Sequence, residues 1–216
     1  VNTLEDQEEV AKKFDKYDLY ALPVVDNENR LVGIVTVDDA INVLHDEVEE
    51  DFEKMAAMQP TEDGYFETSV WKHAKNRIVW LLILMLSAAI TGNILAQYEA
   101  AFAVAPLLVA FIPMIMGTGG NCGSQSSTLI IRGLATDEIK LKDIFRVIWK
   151  EIRVAFIVGV ALAIVNAIRV IIQYRDIQLA VVLGITLIVT TIISKVLGCV
   201  LPMLAKRLKL DPAIMA

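Results

Sequence analysis

The polar residues best suited to handle ions lie inside an apolar stretch of this chain. Residues 100–131 hold no charged side chain, and the middle of the run, residues 117–125, reads GTGGNCGSQ. As a single helix the run would be about 48 Å long, whereas the hydrocarbon core of a membrane is about 30 Å thick. We therefore expect a membrane span that breaks at the glycines, which is tolerated only inside protein or beside a water-filled cavity. Glycines with amide and hydroxyl groups at such a break are typical of an ion path.

A second interpretation of the same stretch is helix packing. Gly119 and Gly123 form a GxxxG pair, a pattern that lets two membrane helices approach closely. Cys122 lies between them, and we expect it to fill space as a small apolar residue. The residues alone favour neither interpretation over the other.

Carboxylates are concentrated in a second segment, residues 38–53, which carries eight of them and no lysine or arginine. Like charges three or four residues apart destabilise a helix by about 0.2–0.5 kcal/mol per pair. Such a face repels other acidic surfaces until a cation intervenes, and Mg²⁺ binds oxygen ligands of this kind. The alternative is an acidic face that is simply solvated. The apolar residues in and after this segment recur three or four positions apart, which predicts an amphipathic helix, and they are Ile41, Leu44, Val48, Phe52 and Met55.

The charge distribution divides the chain into two parts with different surroundings. Residues 1–69 carry 19 acidic and 5 basic side chains, whereas residues 70–216 carry 7 acidic and 15 basic ones. Hydrophobic residues make up 56% of the chain, more than is usual in soluble proteins. We expect an acidic cytoplasmic domain followed by a membrane domain. The acidity argues against a protein that reads or binds nucleic acid. The sequence has no recognisable set of catalytic residues and no P-loop, so that nothing in it indicates an enzyme.

Four apolar segments predict four membrane spans, at about 78–98, 100–131, 154–174 and 177–205. Lysine and arginine precede the first span, link the second to the third and follow the fourth, so the positive-inside rule places the acidic domain in the cytoplasm. Lys195 lies inside the fourth segment. A charge at mid-membrane costs about 2.5–3.5 kcal/mol on insertion scales. We therefore expect Lys195 to face protein, water or another polar group, away from any cation path.

The pattern of the soluble part predicts a small α/β unit. A helix near residues 10–14 precedes two short apolar strands, residues 22–25 and 31–35, which are joined by turn residues. Thr36 is a candidate N-cap for the acidic helix, and Asp39 occupies the capping-box position.

Two motifs in this order resemble known families. Residues 21–26, ALPVVD, followed by residues 33–39, GIVTVDD, resemble the second half of a cystathionine-beta-synthase (CBS) repeat pair. Residues 111–132, which contain FIP, GTGGN, GSQ and TLIIR, resemble the MgtE family of magnesium channels, as do residues 201–202 and 211–213. The resemblance covers essentially the whole chain in the family's order.

That resemblance implies a mainly α-helical, polytopic membrane protein with a small α/β CBS module. It implies a homodimeric, Mg²⁺-selective channel in the cell membrane, embedded in lipid, with its pore at the dimer interface. By this resemblance residues 1–51 form the cytoplasmic CBS module and residues 52–76 the linking plug helix. Residues 77–210 form four membrane spans, and residues 211–216 begin a fifth span.

The resemblance also assigns site residues. Regulatory Mg²⁺ would bind Asp39, Glu47, Glu50 and Asp51, so that high cytosolic Mg²⁺ holds the pore shut. The spacing of Thr36 and Asp39 resembles the ribose-contacting motif of nucleotide-binding CBS domains, so that ATP or another adenine nucleotide is a further expected ligand. The implied pore-lining residues are Gly119, Gly120, Asn121, Ser124, Gln125 and Thr128.

Three other functions stay open at the level of sequence. The first is a transporter of another divalent cation such as Co²⁺ or Mn²⁺, although oxygen-rich residues without His or Cys clusters favour a hard ion. The second is a nucleotide-sensing membrane regulator that conducts nothing. The third is a metal-binding structural fragment, because a complete fifth span is not seen in the sequence.

Overall fold

The N-terminal unit has the predicted order of helix, two strands and helix. The computed structural model describes residues 1–61 and 63–215. Helix α1 (Gln7–Tyr17) is followed by strands β1 (Ala21–Val25) and β2 (Leu31–Thr36), and then by helix α2 (Val37–Met55). The strands pair antiparallel, with Ala21 opposite Thr36. Their sheet and the two helices enclose a small core, which consists of Val10, Ala11, Phe14 and Ala40.

The start of α2 confirms the predicted capping box. The Thr36 backbone N–H donates to the Asp39 carboxylate over 2.9 Å, and the Thr36 hydroxyl donates to the same oxygen over 2.6 Å. The apolar stripe of α2 does not form the core as a helical stripe usually does. Ile41, Val48 and Phe52 are exposed, whereas Ala40 is buried against α1.

Turns connect the two parts of the chain, in the region where a plug helix was expected. Helix α2 ends at Met55 and α3 begins at Val70. The described residues between these helices form turns and bends with no helix of their own. The Gln59 N–H donates to the Asn76 carbonyl over 3.0 Å, which ties the connection to the first turns of α3. A plug role therefore falls to the end of α2 or the start of α3, and it stays a prediction.

Four helical segments are long and apolar enough to cross a membrane, as predicted. The first is α3 (Val70–Gln97), and α4 (Glu99–Val104) follows it. The second consists of α5 (Pro106–Val109) and α6 (Ile112–Ala135). The third and fourth are α7 (Ile144–Tyr174) and α8 (Ile177–Arg207). The fold is thus mainly α-helical, with one small α/β unit.

The predicted break in the second span is at a different place. Helix α6 continues without interruption through residues 117–125, and the chain breaks earlier, at Ala105 and Ala110. Pro106 disfavours helical geometry at Ala105, whose backbone has φ −137° and ψ 69°. Glycine does not break α6 because helix hydrogen bonds satisfy the backbone groups, for which lipid offers no partner.

Helix α8 packs against both α6 and α7, and the three helices form the membrane core. Glycines bring them close together. A Cβ added at Gly198 of α8 would collide with the Gly123 carbonyl oxygen of α6, and one added at Gly159 of α7 would lie 3.0 Å from the Ile188 Cα of α8. Within the described chain, no residue of α3 is buried.

Candidate ion path and acidic regulatory face

Helix α6 has two chemically different faces. One face packs against its neighbours and contains the buried residues Gly119, Cys122, Ser126, Ser127, Ile130 and Ile131. The other face is exposed and carries a polar stripe, which consists of Gly120, Asn121, Ser124, Gln125 and Thr128. An amide or hydroxyl group left in hydrocarbon without a hydrogen-bond partner is costly, about 2–7 kcal/mol. The polar stripe therefore requires water or a second protein surface beside it.

Gly119 does not lie on the polar stripe, although the resemblance grouped it with the pore-lining residues. It faces α8, where an added Cβ would lie 3.0 Å from both the Ser194 hydroxyl and a Thr190 methyl group. Gly123 also contacts Ser194. The two glycines thus form the close helix contact that the GxxxG interpretation describes. The packing interpretation therefore holds for this face of α6, whereas an ion path along the opposite face stays a prediction.

The expected regulatory carboxylates lie on α2 in different environments. Hydrogen bonds from the Thr36 hydroxyl and backbone N–H lower the pKa of Asp39, which caps the helix. Burial and the nearby Glu8 and Glu50 raise the pKa of Glu47. Burial, followed by the charge of Asp211, raises the pKa of Asp51. Glu47, Glu50 and Asp51 lie within one turn of helix, whereas Asp39 lies two turns earlier.

No group of three or more His, Cys, Asp or Glu side chains is arranged to hold a metal ion within residues 1–61 and 63–215. The geometry around these carboxylates is therefore an acidic face rather than a closed coordination shell. Binding of regulatory Mg²⁺ at this face stays a prediction.

Sequence reasoning missed Asp211, which belongs to the same acidic face. The Lys54 ammonium pairs with Glu50 and lies 2.5 Å from the Asp211 carboxylate. Burial lowers the pKa of Lys54, but its hydrogen bonds to Asp211 and Glu50 outweigh burial and raise the pKa well above its usual value. No local pattern relates Asp211 to α2, because Lys54 and Asp211 are 157 residues apart.

The short segment after α8 joins this acidic face to α6. Residues Pro212–Met215 form a 3₁₀ turn, which Asp211 caps by accepting the Ala213 N–H over 2.8 Å. The Ser127 hydroxyl of α6 donates to the Met215 carbonyl over 3.0 Å. A continuous set of contacts therefore runs from α2 through this terminal turn to the helix that carries the polar stripe.

A buried charged pair lies on the packed side of α6. The Lys195 ammonium of α8 lies 3.8 Å from the Glu151 carboxylate of α7. The Ser126 hydroxyl of α6 donates to Glu151 over 2.6 Å and accepts from Lys195 over 3.1 Å. Lys195 thus faces protein and polar groups, as predicted. Sequence reasoning missed Glu151, because it reads as one more charge in a mostly basic link.

Thr36 and Asp39, the expected nucleotide contacts, lie together at the start of α2. Their side chains bond to each other. A cavity of about 290 Å³ adjoins Asp39, and its lining combines valines and alanines of α1, α2 and both strands with polar residues at and before the start of α1. Adenine-nucleotide binding stays a prediction.

Four helices long and apolar enough to cross a membrane, joined to a small α/β unit, define a multi-pass membrane protein. The family model of MgtE, described as a divalent cation transporter, matches residues 112–216. The CBS domain model matches residues 1–46. The chain belongs to the MgtE family.

Three relatives extend the match over the whole chain. Magnesium transporter MgtE of Bacillus subtilis is 40% identical over 213 residues, which are 99% of this chain and 47% of that protein. Magnesium transporter MgtE of Thermus thermophilus is 40% identical over 216 residues, 100% of this chain and 48% of that protein. Magnesium transporter MgtE of Enterococcus faecalis is 32% identical over 214 residues, 99% of this chain and 47% of that protein. The chain spans about half the length of the curated relatives it matches.

Proposed function

We propose that the protein carrying this chain is a passive Mg²⁺ channel whose ion path runs along the exposed face of α6. The observation that carries this proposal is the polar stripe, which lies opposite the face of α6 that packs against α8. A membrane helix with one face packed and the other polar needs water or protein on its polar side. A water-filled path lined by amide and hydroxyl oxygens meets that need.

The ligand chemistry supports Mg²⁺ as the transported ion. Asn121, Ser124 and Gln125 offer neutral oxygens, which suit an ion that keeps its hydration shell. The relatives of this chain are named magnesium transporters. The family description covers divalent cations more widely, so that Co²⁺ and Mn²⁺ are the competing substrates. Competition between these ions for uptake distinguishes them.

A second copy of the chain is the proposed partner across the path. One helix provides only one wall, and two-fold pairing of identical chains is the commonest form of oligomer. In a homodimer the stripe of α6 would face a shared pathway at the interface. The exposed apolar surface of α3 would contact lipid or neighbouring helices.

Cytosolic Mg²⁺ is the proposed gating ligand, bound at the acidic face of α2. Burial raises the pKa values of Glu47 and Asp51, and the charge of Glu50 raises both further, while Asp211 adds to the effect on Asp51. These carboxylates therefore repel one another. A bound divalent cation offsets this repulsion and stabilises the packed arrangement. The terminal turn carries the change to α6, because it pairs with Lys54 at one end and with Ser127 at the other.

The decisive experiment measures ion flux through the complete protein in liposomes while internal Mg²⁺ is varied. We expect inward Mg²⁺ flux at low internal Mg²⁺ and closure in the millimolar range. A membrane potential of 100 mV contributes about 4.6 kcal/mol to each divalent ion that enters. Absence of flux together with tight adenine-nucleotide binding would instead favour the non-conducting regulator.

A further inference from the structure

The contact between α6 and α8 is formed by glycines over the part of α6 that carries the polar stripe. Rotation of packed helices is normally fixed by side chains that fit into the grooves of the neighbour. Here Gly119 and Gly123 of α6 approach α8, and Gly198 of α8 approaches Gly123. A contact surface made of glycines is smooth, so that over this part of α6 the rotation depends on other interactions. Further along the helix, Ile130 and Leu134 of α6 pack in one core with Cys199 and Met203 of α8.

Ser126 provides such an interaction, since its hydroxyl is held from both sides. It donates to Glu151 of α7 and accepts from Lys195 of α8, over 2.6 and 3.1 Å. The three residues are almost completely buried, with exposures of 0% for Ser126, 8% for Glu151 and 4% for Lys195. Two different helices therefore hold one atom of α6 in a fixed direction.

The direction of Ser126 determines where the polar stripe points. Successive residues on a helix are about 100° apart, so Ser126 lies about 100° from Gln125 and about 200° from Ser124 and Thr128. Fixing Ser126 between α7 and α8 therefore directs Ser124 and Thr128 away from both helices. Loss of this anchor would let the stripe turn.

The charges of the pair are not explained by stability alone. Replacing a buried ion pair with apolar residues of similar volume is often neutral or stabilising. Fixing one arrangement among several is the best-attested use of such a group. A charged pair in a membrane is also rare enough to indicate a functional role.

We propose that Glu151 and Lys195 are positioning residues of the ion path, which act through Ser126 to fix the rotation of α6. The proposal rests on the proposed function, because it specifies how the stripe is aimed at the ion path. Neither residue touches the ion.

Two variants of the complete protein test this proposal. Ser126→Ala removes the bridge and leaves the Glu151–Lys195 pair intact, so that it introduces no isolated buried charge. The double variant Glu151→Gln with Lys195→Met removes both charges together, which avoids the isolated charge that either single variant would leave. The matched control is Asn166→Leu on α7, a buried residue whose side-chain amide lacks a hydrogen-bond partner among the described residues.

The first measurement is independent of transport. Spin labels on Leu129→Cys of α6 and Ile157→Cys of α7, both at exposed positions, report the rotation of α6 by pulsed electron paramagnetic resonance. The native Cys122 and Cys199 are replaced by alanine. We expect both test variants to shift or broaden the distance distribution and the Asn166→Leu control to preserve it. Unchanged distributions in both test variants would overturn the proposal.

The second measurement is Mg²⁺ flux in liposomes per amount of folded protein, with Co²⁺ flux measured in parallel. We expect Mg²⁺ flux to fall roughly tenfold or more in both test variants, because functional geometry tolerates little displacement. The ratio of Mg²⁺ to Co²⁺ flux should also change, which a lower yield of folded protein cannot cause. A shifted distance with normal flux and ratio would overturn the positioning role. The unmodified protein could transport neither ion while the spin-label distances still shift in the test variants. In that case the proposed function fails, but the anchoring of α6 by Ser126 stands.

Discussion

The Lys54 ammonium lies 2.5 Å from the Asp211 carboxylate and joins the end of α2 to the turn that follows α8. Lys54 also pairs with Glu50, so one lysine balances two carboxylates on the acidic face. Because the Met215 carbonyl in the same turn accepts a hydrogen bond from the Ser127 hydroxyl of α6, this pair connects α2 to the helix with the polar stripe.

Removing the lysine should loosen this connection when Mg²⁺ is absent. In Lys54→Gln the carboxylates of Glu50, Asp51 and Asp211 lose their neighbouring cation. We expect the contact between α2 and the turn after α8 to weaken by about 1 kcal/mol. The form in which the two are separated should then be roughly fivefold more populated. Digestion of the 39–76 region by proteinase K should be faster, and millimolar Mg²⁺ should restore protection. The control is Lys72→Gln, whose partner Asp63 is about half exposed. Equal digestion of the two variants would contradict the role of Lys54.

Neutral variants of the acidic face should lose protection by Mg²⁺. We expect millimolar Mg²⁺ to slow digestion of residues 39–76 in the unmodified protein, because the ion offsets carboxylate repulsion. Glu50→Gln and Asp51→Asn should weaken this effect most, since they lie beside Asp211 and Lys54. Asp39→Asn and Glu47→Gln should weaken it less, because Asp39 already caps α2 and Glu47 lies farther from Lys54. If Mg²⁺ protected all four variants as well as it protects the unmodified protein, the result would argue against a Mg²⁺ sensor at this face.

Mild acid should partly replace Mg²⁺ at the same face. The pKa values of Glu47 and Asp51 are raised by burial and by neighbouring carboxylates. A carboxyl whose folded pKa exceeds its unfolded value favours the folded form at low pH, and this contribution is lost as the pH rises through the raised pKa. The pH range over which this stabilisation is lost therefore begins near the ordinary carboxyl pKa of about 4 and extends upward.

Digestion without Mg²⁺ should accordingly be slower at pH 5 than at pH 7, measured with a protease active at both values. The lowered pKa of Asp39 acts in the opposite direction, but only as the pH falls below its usual range. Asp51→Asn should reduce the pH effect. An unchanged pH response in a Glu47→Gln, Asp51→Asn double variant would contradict this assignment.

The parts of the fold set by local rules could be predicted from sequence. The Thr36–Asp39 capping box and the four spans each depend on residues within a few turns of one another. The predicted position of the break in the second span was wrong. The apolar run is too long for one crossing of the membrane, but it is interrupted at Pro106 rather than at the glycines. Glycine weakens helices in water, but in α6 it permits close contact with α8.

The missed site residues have partners distant in sequence. Glu151 and Lys195 lie on different helices, and Ser126 between them lies on a third. Asp211 contacts Lys54 of α2 across a separation of 157 residues in the sequence. Hydrophobic periodicity predicts which face of one helix is apolar, but it does not predict the distances between residues of different helices.

The α6–α8 contact should be intolerant of a single methyl group. In Gly198→Ala the new Cβ would collide with the backbone carbonyl of Gly123, which cannot move aside as a flexible side chain could. Overpacking of this kind costs about 1–3 kcal/mol. Heating in detergent followed by size-exclusion chromatography should show a lower midpoint. The control is Gly184→Ala on the same helix, where the added Cβ would lie 3.6 Å from the Ala163 Cβ, an ordinary contact. A thermal midpoint equal to that of the control would mean that α6 and α8 are farther apart than the structure shows.

Apolar substitution on the polar stripe should reduce transport without weakening the fold. Gln125→Leu preserves side-chain size and helix preference, but it removes the amide oxygen and nitrogen from the exposed face of α6. If the amide contacts the hydration shell of the ion, its loss removes a hydrogen bond of about 0.5–1.5 kcal/mol, which corresponds to a flux roughly twofold to tenfold lower. Leu129→Ala, next to the stripe, is the control and should leave flux near normal. The thermal midpoint of Gln125→Leu should stay near that of the unmodified protein, because a substitution at an exposed position that faces a water-filled path removes no packing contact. A lower midpoint with normal flux would mean that Gln125 packs against protein rather than lining a path.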